Sequence, residues 1–160
     1  MQSCQDLEQL VVQDLEGLGI PLMFANIQAN LDQIMGHYVY ILQDDDQLAG
    51  QEVIYRLRNF TEVHEWPPVI ICRNIKRGLL LPDRWEQQPQ EGHIDLGSYV
   101  IRSDVFKDNA GAFGARYAGD FDFINALWRA GYGFAWLDMV LAREQLQQPG
   151  LGRSEQELRR

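Results

Sequence analysis

With 160 residues, 46% hydrophobic and 23% charged, the chain has the composition and length of one ordinary globular domain. Its net charge of −9, from 23 acidic and 14 basic residues, argues against nucleic-acid phosphate as a partner, because that affinity comes mainly from Lys and Arg. No apolar stretch approaches the roughly 18 residues of a membrane span, the polar N-terminus (Gln2, Gln5, Asp6, Glu8) is unlike a secretory signal, and Cys4 and Cys72 lack metal-ligand spacing; together these point to a cytoplasmic protein with reduced thiols.

Residues 5–16 carry Leu7, Leu10, Val11 and Leu15 at helical spacing, although Val11-Val12 also fits a strand end. Gly17 and Gly19 break that pattern. Ile20 to Ala25 reads as a short strand, with Pro21 marking an edge or a strand start. Asn26 to Met35 reads as a helix with Ile27, Leu31 and Ile34 on one face, stopped by Gly36. Tyr38 to Leu42 is an apolar run that predicts a buried strand in a parallel sheet. Ala49 to Phe60 predicts an amphipathic helix with Val53, Leu57 and Phe60 inward.

Trp66-Pro67-Pro68 interrupts, and Val69 to Cys72 forms a second apolar strand. Residues 73–95 read as an irregular loop anchored on the core by Leu79-Leu80-Leu81-Pro82, and loops of this length are usually functional or mobile. Ser98 to Arg102 is a strand, and the Gly- and Ala-rich residues 107–119 are expected to be flexible. Asp120 to Ala130 is a helix with Ile124, Leu127 and Trp128 on its core face, stopped by Gly131. Phe134 to Leu141 is the last strand. The alternation of strand and helix predicts an α/β fold, with residues 1–145 as the domain and 146–160 as a polar C-terminal tail.

The chemistry concentrates at Asp44-Asp45-Asp46, which follows the Tyr38–Leu42 run after Gln43. The carboxyl ends of strands are where open α/β sheets bind ligands. Three adjacent carboxylates are costly unless they are solvated or bound to a cation. Alternate residues on an extended turn point to one side, so Asp44 and Asp46 form a candidate oxygen site for Mg2+ or Mn2+. The plainer alternative is a solvated acidic turn that caps the following helix. Neither G-x-x-x-x-G-K-[ST] nor G-x-G-x-x-G occurs, which counts against a phosphoryl-transfer enzyme.

Other polar residues have similarly paired readings. His93 and Asp95, on a loop entering a strand, are candidates for binding an acceptor or a metal, or a surface polar pair. Trp85 on the long loop is a candidate for stacking on a sugar ring. Arg73 and Lys76-Arg77 are either diphosphate contacts or a solvated basic turn. Isolated His37 and His64 read as structural or surface residues, and Trp128 and Trp136 as core.

Three segments in order resemble a family 2-like glycosyltransferase of the GT-A fold. The first is Asn30 to Asp46, an Asn-bearing helix, a Gly and an aromatic strand leading into a D-x-D type motif. The second is Gly92 to Phe106, similar to the acceptor-side segment, where a small-residue-rich strand leads into an "arginine, x, x, hydrophobic" turn. The third is Tyr117 to Leu127, similar to the Gly-acidic helix start, followed by Gly131 and the aromatic strand Phe134 to Asp138. The resemblance implies a GT-A-like three-layer sandwich with a mostly parallel mixed sheet. It implies transfer of a sugar from a nucleotide-diphosphate sugar to a carbohydrate or other hydroxyl acceptor, assisted by Mn2+ or Mg2+. Asp44 and Asp45 would then bind the donor, and Asp44 and Asp46 the metal.

Inverting transfer needs a carboxylate to take the acceptor proton. The family's usual Gly-Glu-Asp is replaced by Gly119-Asp120-Phe121-Asp122, so Asp120 and Asp122 are the base candidates. Asp120 sits where a helix dipole favours the charged form, and it also fits a plain N-cap. Too few residues precede the first matching helix for a complete βαβ nucleotide-binding unit, which needs about 30 residues. Part of that unit is therefore expected to be missing, with a second copy or a partner chain completing the site. The alternative function is a non-catalytic binding or scaffolding module that keeps a partial GT-A fold.

Overall fold

The computed structural model describes residues 8–12, 20–114 and 116–145. Its central strand is the segment whose sequence is least ambiguous. Val69-Ile70-Ile71-Cys72 is fully buried, as a strand covered on both faces must be. Alternate side chains divide between two cores. Val69 and Ile71 join Phe24, Ile101, Phe106, Phe113, Phe123, Ile124 and Leu127 on one face, while Ile70 and Cys72 join Val53, Val100, Met139 and Leu141 on the other.

Around that strand the chain forms a mixed α/β domain. The helices are α1 (Ile20–Ala29), α2 (Val53–Val63), α3 (Ser103–Asn109) and α4 (Gly119–Arg129). The strands are β1 (Tyr38–Val39), β2 (Asp46–Leu48), β3 (Val69–Lys76), β4 (Leu79–Leu81), β5 (Tyr99–Arg102) and β6 (Phe134–Glu144). The sheet order is β1-β5-β3-β6-β2, with β4 also paired to β3. Residues of α1, α3 and α4 fill the first core, and α2 contributes to the second. The sheet is mixed, as expected, but it is not mostly parallel. Among the described residues only β3 and β6 run parallel, and the other four pairings are antiparallel.

Aromatic packing fixes the first core. Phe113 stacks on Phe123 at 4.1 Å between centroids and on Phe24 at 4.7 Å, and Phe106 meets Phe113 and Phe123 edge-on. This explains why residues 107–119, expected to be flexible, instead complete α3, make a 3-10 turn at Ala110–Ala112 and bury Phe113.

Several other elements depart from expectation. Ile20 to Ala25 begins α1 and is not a strand. Proline is compatible with a first helical turn, and a short apolar run has no period that separates helix from strand. The helix expected through Met35 ends at Ala29 and is followed by a 3-10 turn at Leu31–Gln33. Of Tyr38 to Leu42, only Tyr38 and Val39 pair, antiparallel to β5 at the sheet's end. The helix expected from Ala49 starts at Val53, because Asp46–Leu48 forms β2 against the end of β6.

β3 continues to Lys76 and turns through Arg77 and Gly78, both at positive φ (52° and 75°), into β4. Leu79 and Leu80 are 64% and 47% exposed, so the Leu run does not anchor the loop. Buried Pro82, Pro89, Ile94 and Leu96 do. Residues 8–12 carry neither helix nor strand; the rest of the helix expected over residues 5–16, and the 146–160 tail, lie outside the described residues. Among the described residues, no helix is long and apolar enough to cross a membrane.

Candidate functional site

β2 is short, and its first residue is Asp46, in register with Glu144 near the end of β6. The parallel pairing of β6 with β3 brings this edge alongside Lys76, the last residue of β3. The Lys76 ammonium donates to Asp46 Oδ1 at 3.0 Å, to Asp45 Oδ1 at 3.1 Å and to Gln43 Oε1 at 3.4 Å. The structure therefore brings Asp45 and Asp46 onto one cation, while Asp44 is exposed on the turn. The Asp46 side chain is 1% exposed, and its Oδ2 has no hydrogen-bond partner among the described residues.

Burial pushes the Asp46 carboxyl above its ordinary pKa, against the bond from Lys76. Burial alone would lower Lys76, but its bonds to Asp46 and Asp45 and their charges outweigh it and keep the ammonium protonated. The side-chain groups that accept from Lys76 are all oxygens, the ligand type that Mg2+ and Mn2+ take, and Asp46 adds a buried carboxylate oxygen with no partner among the described residues. Among the described residues no three His, Cys, Asp or Glu side chains form a ready-made cage. Mg2+ in particular is commonly held by one or two carboxylates plus substrate phosphate.

Asp95 ties this edge to the rest of the site. It caps the 3-10 turn at Leu96–Ser98, accepting from Ser98 Oγ at 2.7 Å and from Asn74 Nδ2 at 2.9 and 3.0 Å. Asn74 follows a bulge in β3, a device common beside active sites, and is fully buried. Gly97 permits this contact, since a Cβ there would lie 2.5 Å from Asn74 Nδ2. The Tyr40 hydroxyl donates to the Gly97 carbonyl at 3.1 Å. Asp95 is therefore a fixed, hydrogen-bonded charge. That charge raises the pKa of both Asp46 and Asp120.

Asp120 lies in the first turn of α4. Its Oδ1 accepts from the Phe121 N–H at 2.8 Å, and its carbonyl accepts from the Tyr99 hydroxyl at 3.2 Å. Burial pushes its carboxyl up to about 6, with the charge of Asp95 adding to the rise and the Phe121 N–H opposing it. Asp122, two residues on, faces elsewhere. Arg116 donates to both of its oxygens and also grips Glu91, and the bond from Arg116 holds the Asp122 carboxyl below its ordinary range. Of the two base candidates, Asp120 has the better-poised carboxylate.

The remaining candidates sit on the 82–95 loop. His93 Nδ1 lies 2.8 Å from Asp83 Oδ1, at the surface. Trp85 packs edge-on against Trp136 at 5.1 Å, and Arg73 sits over its ring at 3.7 Å, so one face is already covered. Arg73 also donates to Asp138 at 2.8 Å and to the Pro82 carbonyl. This clamp of Arg73, Trp85, Trp136 and Asp138 was not legible from sequence, nor were the roles of Lys76, Asn74 and Ser98. The lone polar pair Arg73-Asn74 inside an apolar strand was the available signal. A separate groove of about 510 Å3, lined by Trp66, Pro67, Arg102 and Phe134 among others, opens where β3 and β6 begin, at the other end of the parallel pair from Lys76.

No family model matches this chain, and no curated protein matches it significantly.

Proposed function

We propose that this chain is a GT-A-like glycosyltransferase domain that moves a sugar from a nucleotide-diphosphate sugar to an acceptor hydroxyl. One observation carries the reading. The Asp95–Ser98 turn is bonded to Asn74 of β3, two residues before the Lys76 that holds Asp46, and it leads directly into Tyr99, whose hydroxyl donates to the Asp120 carbonyl. Cation-binding acids and a poised proton acceptor thus share one region of the domain.

In this reading Asp44 and Asp46 hold Mn2+ or Mg2+, with Asp44 and Asp45 toward the donor. The bound cation would stabilise the departing diphosphate as a Lewis acid. Asp120 takes the acceptor hydroxyl's proton, which its raised pKa suits near neutral pH. His93 and Trp85 border the acceptor side, with Trp85 held in place by Arg73. The expected setting is cytoplasmic, with Cys72 a buried free thiol.

A scaffolding module without donor binding is the second reading. The observation that favours it is that Lys76 already neutralises part of the acidic triplet. Thermal shift with UDP, GDP and their sugars, with and without Mn2+, separates the two. The transferase reading expects metal-dependent stabilisation by at least one nucleotide, lost in Asp46→Asn. No stabilisation of the folded wild type by any of them, with or without Mn2+, would favour the scaffold.

A further inference from the structure

Lys76 is placed unlike an ordinary surface lysine. Its backbone ends the central strand and enters a hairpin turn at Arg77-Gly78, with the Arg77 N–H bonded to Glu144 Oε2 at 2.7 Å. Its side chain is only 18% exposed and spends its three N–H groups on Asp46, both oxygens of Asp45, and Gln43. Two carboxylates against one ammonium leave this group with a net negative charge. Spare acceptor capacity remains as well, because Asp46 Oδ2 and Asn74 Oδ1, both buried, have no hydrogen-bond partner among the described residues.

We propose that Lys76 is a tethered counter-ion which a divalent cation must displace from the acidic turn. The inference rests on reading that turn as the cation site. A divalent ion on Asp46 would lie within a few ångströms of the Lys76 nitrogen, where like charges in a half-buried setting repel strongly. The hairpin fixes the backbone, so the flexible lysine stem is the part that yields. In the cation-free protein Lys76 keeps buried Asp46 paired, which avoids the cost of an uncompensated buried charge. When the cation binds, the ammonium is released, and an arriving diphosphate offers it a new anionic partner. Lys76 thereby weakens binding of the cation alone and favours its entry together with the donor.

Mn2+ binding followed by the electron paramagnetic resonance of the free ion tests this without any turnover. Lys76→Met is expected to bind Mn2+ roughly tenfold tighter or more than wild type, Lys76→Arg no tighter than wild type, and Asp46→Asn far more weakly. If Asp46-dependent binding is present in wild type but Lys76→Met does not tighten it, the competition is refuted while the cation site stands. If neither wild type nor Lys76→Met shows Asp46-dependent binding, the cation site falls, and the inference with it. A second readout on the wild type covers a Lys76→Met protein that fails to fold. The chain has two lysines, Lys76 and Lys107, so Lys107 serves as internal control for an amine-reactive label. Labelling of Lys76 relative to Lys107 is expected to rise several-fold when Mn2+ saturates the site. An unchanged ratio at saturation would overturn the displacement.

Discussion

Asp120 and Asp122 differ by two positions in one helix turn, and their surroundings make them chemically opposite. Burial and the charge of Asp95 lift Asp120 to about 6, while an exposed Arg116 holds Asp122 down. For Asp120 the folded state binds its proton more tightly than the unfolded chain does. The group therefore favours folding fully only below pH about 4, and that contribution is lost as pH rises toward about 6. At pH 7 the buried carboxylate costs the fold on the order of 3 kcal/mol. Asp120→Asn keeps an acceptor for the Phe121 N–H and removes the charge. It is expected to be more stable than wild type in urea denaturation at pH 7 and close to it at pH 4. If Asp120 is the base, the same substitution lowers kcat/KM by about 10²- to 10⁴-fold, and the wild-type kcat/KM rises through pH about 6. A variant less stable at pH 7 than wild type would contradict the assigned cost of burial.

At the scale of elements, α4 is set by a glycine. A Cβ at Gly119 would lie 2.6 Å from the Gly114 carbonyl oxygen and 2.6 Å from Phe24 Cε2. Neither neighbour yields easily, one being backbone and the other part of the aromatic stack with Phe113. Gly119→Ala is expected to lose about 1–3 kcal/mol in urea denaturation, typical of overpacking, and to displace Asp120 beside it. Equal stability would mean that α4 is not seated by this contact. α4 itself was legible because Ile124 and Leu127, with Phe123, make one apolar face that is fully buried. β3 was legible in its first half, where burial on both faces demands an unbroken apolar run. Its second half was not, because Arg73, Asn74 and Lys76 serve polar contacts that strand patterning cannot anticipate. β2 was missed for a related reason. Asp46-Gln47-Leu48 has little strand character of its own, and only pairing with β6, almost a hundred residues away, makes it one.

At the scale of the whole molecule, sequence singled out Asp46, Asp95 and Asp120 individually but not their relation. That relation depends on β-sheet register, which places the start of β2 across the end of β6 from the end of β3, and on the 3-10 turn that presents Asp95 between Asn74 and Ser98. Local patterns do not encode such long-range outcomes. The coupling can be tested apart from activity. The charge of Asp95 raises the Asp120 pKa, so neutralising it in Asp95→Asn is expected to move Asp120's titration below about 6. Asn74 Oδ1 has no hydrogen-bond partner among the described residues, so a flip of the Asn74 amide would let it accept from the new amide, and the turn has a way to keep its seat. The side-chain carboxyl carbon resonance of Asp120, followed by NMR from pH 3 to 8 in both proteins, reads the midpoint directly. A midpoint that falls while the Phe106, Phe113 and Phe123 ring resonances hold still means that the two carboxylates share one field across the sheet. A midpoint that stays put in an intact fold would separate Asp120 from Asp95, and the electrostatic link between them would fall.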